Sequence, residues 1–526
     1  MPRVDFVPDV DGFAFANNWS FDDREKQEIR DIVQAALPAA AALLSPIVMA
    51  AAPLIAPVAG IALGPVLPLI AVAGPFLVAA APKISELIVN AIVDHIAKGG
   101  GRDNLCGGMM SAALDYHRLG WVPPRGLGRD QTPQFDPNAP DSIESWLRKR
   151  IWEGQIDNHI DDTPRMILWK AVGVLFGDWG HDWLRDQTRD ELAKMSAALT
   201  AGIAIPVGIL WNDSHSKGFD IGHIVVGYGL EWYGPDRCSL TVCDNEYPDA
   251  QTIFDIDLSV SPPLIVDRSD NDRRADGVFL GGYRQKTPPP VIVRSTALSI
   301  TPSTYLVQGE PLDAAFGILN KGFSELRDGV GGLRNVGSVV APPMAWQLPT
   351  KPDPATPPYT PPYAVKMLPV FAPIAAGADE PIAADTAGLP PGNYILEPVV
   401  MAGSNLTGTR IARTLADTNG NPAATVTLRV NPKIPIRERD AHKGFGCARP
   451  RVEGTPVTLE ADLSALIGRG IQSVTWTVTG ALTMTASGPT LYIAALPPAP
   501  GHCEIKVSAT LSDGTEARGW ATWTLN

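Results

Sequence analysis

Asn104-Leu105-Cys106-Gly107-Gly108-Met109-Met110-Ser111-Ala112-Ala113-Leu114-Asp115-Tyr116 is the stretch on which the reading of this 526-residue chain turns. From Cys106 onward, Met110, Ala113, Leu114 and His117 recur at helical spacing and Gly120 ends the run, which predicts a buried helix with Cys106 in its first turn. Unpaired backbone N–H groups and the helix dipole at such a position favour a thiolate. The two glycines after the cysteine remove side-chain bulk, so a substrate backbone could approach the sulfur. A cysteine alone in a small-residue helix is ordinarily a packed structural thiol, and chemistry requires partners.

The partners lie downstream, in Gly222-His223-Ile224-Val225-Val226-Gly227-Tyr228-Gly229 and Leu240-Thr241-Val242-Cys243-Asp244-Asn245. Both runs read as strands, with Gly234-Pro235-Asp236 as the turn between them. His223 begins one strand and Asp244 ends the next, so the two become near cross-strand neighbours and the carboxylate can orient the imidazole. Asn245 is the fallback for that third position, because a one-residue slip in register reverses faces. A metal site built from Asp213, His215, Asp220 and His223 has a loop composition too common to carry weight, and no metal or other cofactor is expected.

A cysteine at a helix start, then a histidine on one strand and an Asp or Asn on the next, resembles the papain-like cysteine peptidase superfamily, in particular its bacterial papain-like and double-glycine-peptidase-like branch. The resemblance covers residues 99–250 and extends to Phe13–Trp19. It implies an α+β papain-like domain in which Cys106 is the nucleophile, His223 the general base and then acid, and Asp244 the orienting carboxylate. Such enzymes usually carry an oxyanion-hole Gln shortly before the cysteine, and none stands here. The resemblance therefore leaves the Cys106 N–H as one donor, with Asn104, or an asparagine of the Asn17-Asn18 pair such as Asn18, as the second.

Working outward, residues 32–82 hold no charged side chain and eight prolines. The run is long enough for two spans of about 20 residues. It reads as an apolar helical hairpin inserted at 32–98, either membrane-inserting or chaperone-shielded, or else buried against the rest of the protein. Residues 1–31 form the N-terminal part of the enzyme domain and 99–286 its body. Eight of the thirteen tryptophans fall between Trp121 and Trp232, which requires a substantial core there. Asp141-x-x-Glu144 and Thr188-x-x-Glu191 have the form of capping boxes opening two helices.

After Pro288-Pro289-Pro290 the pattern becomes all-β. Fifteen prolines between Pro342 and Pro398 mark long loops in an immunoglobulin-like β-sandwich at 291–432, and a second sandwich is expected at 446–526. Cys447 and Cys503 bracket the latter and could pair in an oxidising compartment.

Composition sets the outer bounds. Gly and Pro, 49 and 50 residues, have no collagen period and belong to turns and linkers. The formal net charge of −13 argues against nucleic acid as a partner of the whole molecule. The start, MPRVDFVPDVDGF, is acidic where a signal peptide would be basic and apolar, so any export would use a specialised route.

The expectation that follows is a cysteine hydrolase cleaving an amide or peptide bond of a peptide or protein substrate. It fits a bacterial secreted effector or toxin whose 32–98 hairpin contacts a membrane or chaperone, with an immunity protein as a further partner. The alternatives are a catalytically inactive binding or adhesion protein with immunoglobulin-like modules, and a pore-forming protein.

Overall fold

The computed structural model describes residues 4–17, 19, 27, 31, 105–175, 177–211, 222–269, 273–301, 305–310, 313–322, 330–335, 379–384, 391–408, 410–422, 424–439, 456–496 and 501–525. The apolar segment 32–98 lies outside these residues. Among the described residues no helix is long and apolar enough to cross a membrane.

Helices come first along the chain: a single turn α1 (Pro8–Asp11), then α2 (Cys106–Arg118), α3 (Ile143–Asp161), α4 (Thr163–Leu175) and α5 (Gly177–Thr200). Six antiparallel strands follow, β1 (Ile205–Trp211), β2 (His223–Trp232), β3 (Arg237–Cys243), β4 (Thr252–Asp257), β5 (Leu264–Asp267) and β6 (Arg274–Leu280). They do not form an open sheet. Pairing of β1 with β6, from Val207↔Leu280 to Trp211↔Ala275, closes them into a barrel.

From Ile292 onward the described chain is almost entirely strand. One sandwich sets a sheet containing β7 (Ile292–Arg294), β8 (Ser299–Thr301), β10 (Asp313–Asn320), β12 (Asp379–Ala384) and β15 (Ala416–Asp417) against a second sheet. That partner sheet contains β9 (Tyr305–Val307), β11 (Val330–Asn335), β13 (Gly392–Gly403), β14 (Arg410–Thr414) and β16 (Val426–Asn431). The last sandwich packs β17 (Ile436–Glu438), β18 (Val457–Ala461) and β21 (Thr490–Ile493) against β19 (Ile471–Gly480), β20 (Met484–Ser487), β22 (Gly501–Leu511) and β23 (Glu516–Leu525). Trp476 and the Cys503 thiol are buried in its core; Cys447, the expected disulfide partner, lies outside the described residues.

This corrects the expected α+β papain-like class. Among the described residues the protein is mostly β, with one closed barrel and four further sheets. Strand-forming runs separated by turns continue from residue 205 to the end, and every pairing within the barrel is antiparallel. Consecutive hairpins curl until the first and last strands meet, which removes the exposed edges an open sheet would leave.

The helix starts differ in detail. Ser142, not Asp141, caps α3 by accepting the Ser145 N–H. Thr188 lies in the middle of α5 and opens no helix. Its partner Glu191 instead reaches across to accept the Leu280 N–H at 2.9 Å, tying α5 to the end of β6.

Helix α2 is buried from Cys106 to Tyr116. Its glycines let α3 come close: a Cβ on Gly108 would stand 1.8 Å from the Ile151 carbonyl oxygen, and one on Gly107 would stand 2.7 Å from the Asn158 side chain. The expected role of these glycines, room for a substrate, is thus overtaken by helix–helix contact. Asp115 locks the pair further along. Its carboxylate accepts from Arg150 Nε at 2.5 Å, Tyr283 Oη at 2.6 Å and the Lys286 N–H at 2.9 Å. Gly108→Ala must therefore push α3 away, and is expected to lower unfolding free energy by about 3 kcal/mol in urea titrations. A loss below about 0.5 kcal/mol would show that the helices have slack.

Candidate active site

The site forms at one end of the barrel, where the start of α2 meets the start of β2 and the end of β3. The β2–β3 register pairs Val226 with Cys243, and a bulge at Tyr228 shifts the rest of the ladder. Asp244, one residue beyond the ladder, is therefore diagonal to His223 on the same face. His223 Nε2 and Asp244 Oδ1 are 2.7 Å apart, with 3% and 0% of the side chains exposed.

Cys106, at the start of α2, stands near enough to the same imidazole to raise its titration range. Sequence-separated Cys106, His223 and Asp244 are thus brought into one neighbourhood, with the Asp244 carboxylate on Nε2. Burial by itself would favour a neutral ring on His223. The Asp244 carboxylate, the Cys106 sulfur and Glu246 outweigh it, so the imidazolium persists well above its ordinary titration range. Burial would likewise raise Asp244, but His223, the Glu246 N–H at 2.8 Å and the charge of Arg273 hold its carboxyl below the ordinary value.

Asn245 does not stand in for Asp244. Its Nδ2 donates to the carbonyls of Cys106 at 3.0 Å and Ile224 at 3.2 Å, stapling the start of α2 to β2. Asn104 and Asn18 lie outside the described residues. The neighbouring Asn17 is placed at the nucleophile: its Oδ1 accepts the Leu105 N–H at 2.8 Å and its own N–H donates to Asn245 O at 2.9 Å. Gln155 Oε1 accepts the Gly108 N–H at 3.2 Å, anchoring the same turn from α3.

Three further residues were not legible in the sequence. Trp211, at the end of β1, lies near-parallel to the His223 ring, with centroids 6.3 Å apart and an interplanar angle of 24°. The Arg273 guanidinium sits 3.8 Å over the Trp211 ring and donates to Glu246 at 2.7 Å. Only the closing of the barrel brings residues 211, 223 and 273 together.

Donor atoms of His223, Asp244 and Glu246 lie within 4.8 Å of one another, a spacing a metal ion could use. The imidazole Nε2 is taken by Asp244 and the Glu246 carboxylate by Arg273, so these groups are already paired with one another. Asp213, His215 and Asp220, weighed with His223 as a metal site and set aside, lie outside the described residues.

The segment 4–17 straps the site to the first sandwich. Val4 N–H donates to Tyr228 O on β2. Asp9 accepts from Ser404 Oγ at 2.8 Å and the Asn405 N–H at 2.6 Å. Asp11 takes the guanidinium of Arg413 bidentately, at 2.7 and 2.6 Å. Val7 and Val10 of the strap and Tyr116 of α2 belong to the sandwich's own apolar core.

No protein-family profile matches the sequence, and no curated protein does. Among solved structures, the chain is similar to the fibronectin(III)-like modules of Clostridium thermocellum CbhA, at 14% identity over 44% of this chain and 94% of that one, with a TM-score of 0.14. It is also similar to Bacteroides ovatus SGBP-B of a mixed-linkage glucan utilization locus, solved with a mixed-linkage heptasaccharide. There the identity is 10% over 61% of this chain and 60% of that one, with a TM-score of 0.11.

Proposed function

We propose that the protein is a thiol hydrolase of amide bonds, acting through Cys106, His223 and Asp244. The observation that carries this reading is the buried pair of Asp244 and His223 Nε2 at 2.7 Å, standing beside Cys106 at the first position of α2. Attack of the Cys106 sulfur on a carbonyl forms a tetrahedral oxyanion. The Cys106 N–H at the open end of α2 would receive it, with Asn17, whose Oδ1 holds the Leu105 N–H beside the nucleophile, as the candidate for the second donor. The His223 imidazolium then protonates the leaving amine, leaving a thioester. Water adds with His223 as base, and the acid product leaves with the thiol restored. Peptide hydrolysis, side-chain deamidation and transamidation share this thioester, so the acyl acceptor decides among them.

The test is acid-quenched turnover of a peptide-amide library followed by intact-mass and peptide-mass analysis. An acyl adduct on Cys106, absent in Cys106→Ala, is expected. If no amide is turned over and no adduct forms while iodoacetamide still labels Cys106, the domain is a binding scaffold instead.

A further inference from the structure

We propose that Arg273 is a positioning residue of this site, clamping Trp211 over the imidazole and offsetting the charge of Glu246 so that Asp244 is the dominant anion acting on His223. The inference rests on the hydrolase reading above and deepens it. Three contacts support it: the guanidinium 3.8 Å above Trp211, the near-parallel Trp211 and His223 rings, and the ion pair to Glu246 at 2.7 Å. The backbone closes the arrangement, because the Glu246 N–H binds the same Asp244 oxygen that holds His223, and Arg273 O accepts the Asp267 N–H at 3.3 Å.

The charged and titratable groups of the imidazole's cluster, those acting on it or on Asp244, come from four places. Cys106 lies on α2, Asp244, Glu246 and Tyr247 follow β3, Asp267 ends β5, and Arg273 precedes β6. Arg273 is the cation acting on Asp244, Tyr247 and Asp267 in this group. Without it the imidazolium and sulfur would face Glu246 as a second uncompensated anion. A cation–π contact with a guanidinium also fixes the plane of the indole, which a lysine does less well.

The experiment is the pH profile of iodoacetamide alkylation of the full-length chain at constant ionic strength. Arg273→Ala is expected to move the profile midpoint up by about half to one pH unit, since losing a cation favours every protonated form. Glu246→Gln is expected to move it down, and Arg273→Lys to recover most of the wild-type midpoint. The sign reversal between the two single variants is what a merely structural role cannot produce. If Arg273→Ala fails to fold, the Glu246→Gln shift alone decides. An unmoved midpoint, or shifts of one sign, would overturn the role of Arg273. A wild-type profile indifferent to His223→Ala would instead overturn the hydrolase reading, so the two failures are distinct.

Discussion

Replacing His223 with Ala is expected to cut amide turnover by about 10³-fold or more, because in the proposed mechanism it removes both the acid that releases the amine and the base that activates the water. Alkylation gives a second, substrate-free measure. At pH 6 the variant should react about tenfold more slowly than the wild type, and above pH 9 it should match or exceed it, since a thiolate freed from its imidazolium is intrinsically the stronger nucleophile. Crossing curves are the signature of an ion pair. Parallel curves would mean that the Cys106–His223 contact is packing. Asp244, buried and bound to the ring at 2.7 Å, predicts that the imidazolium survives toward higher pH than a free histidine would.

Arg413→Met is expected to destabilise the protein by about 3–5 kcal/mol, the second large effect. It leaves Asp11, with none of its side chain exposed, charged and without its guanidinium. Burial alone would raise the Asp11 carboxyl, but Arg413 and His117 together hold it well below the usual range. A depressed carboxyl contributes stability above its unfolded pKa of about 3.9, and that contribution is lost as pH falls through the folded value. In the variant the sign reverses. The carboxyl, left with the Val7 N–H and His117 but no guanidinium, rises, costs stability near pH 7, and ceases to do so once protonated. The deficit measured by urea unfolding should therefore narrow between pH 7 and pH 4. Arg413→Met with Asp11→Leu should recover most of it. A constant deficit across that range, unrelieved by the double variant, would show that the loss comes from packing and not from charge.

The residues of the candidate site were legible because each sits at an element end marked by local sequence. Cys106 precedes a small-residue helix, His223 opens a strand, and Asp244 closes the next after a Gly-Pro-Asp turn. Local pattern reached the diagonal His223–Asp244 pairing because one hairpin contains both. It did not reach Trp211 or Arg273, which barrel closure between residues 207 and 280 brings together, and it offered the Asn17-Asn18 pair without choosing Asn17, whose place depends on a segment 88 residues upstream of Leu105. The fold class was misread for the same reason: runs of strand are visible singly, but closure between the first and the sixth is not. Gly107 and Gly108 carry the opposite lesson. Their small size was plain, yet what it admits, the backbone of α3, is set by a helix more than forty residues away.

The strap has a consequence for the order of synthesis. Asn17 leaves the ribosome early, yet the residues that seat its segment, Ser404 and Arg413, are about 390 residues behind it. A nascent chain carrying Cys106, His223 and Asp244 but not yet residue 413 still lacks the anchor for Asp11. The Cys106 sulfur therefore meets its fully braced surroundings only after the strands that carry Ser404 and Arg413 have been made.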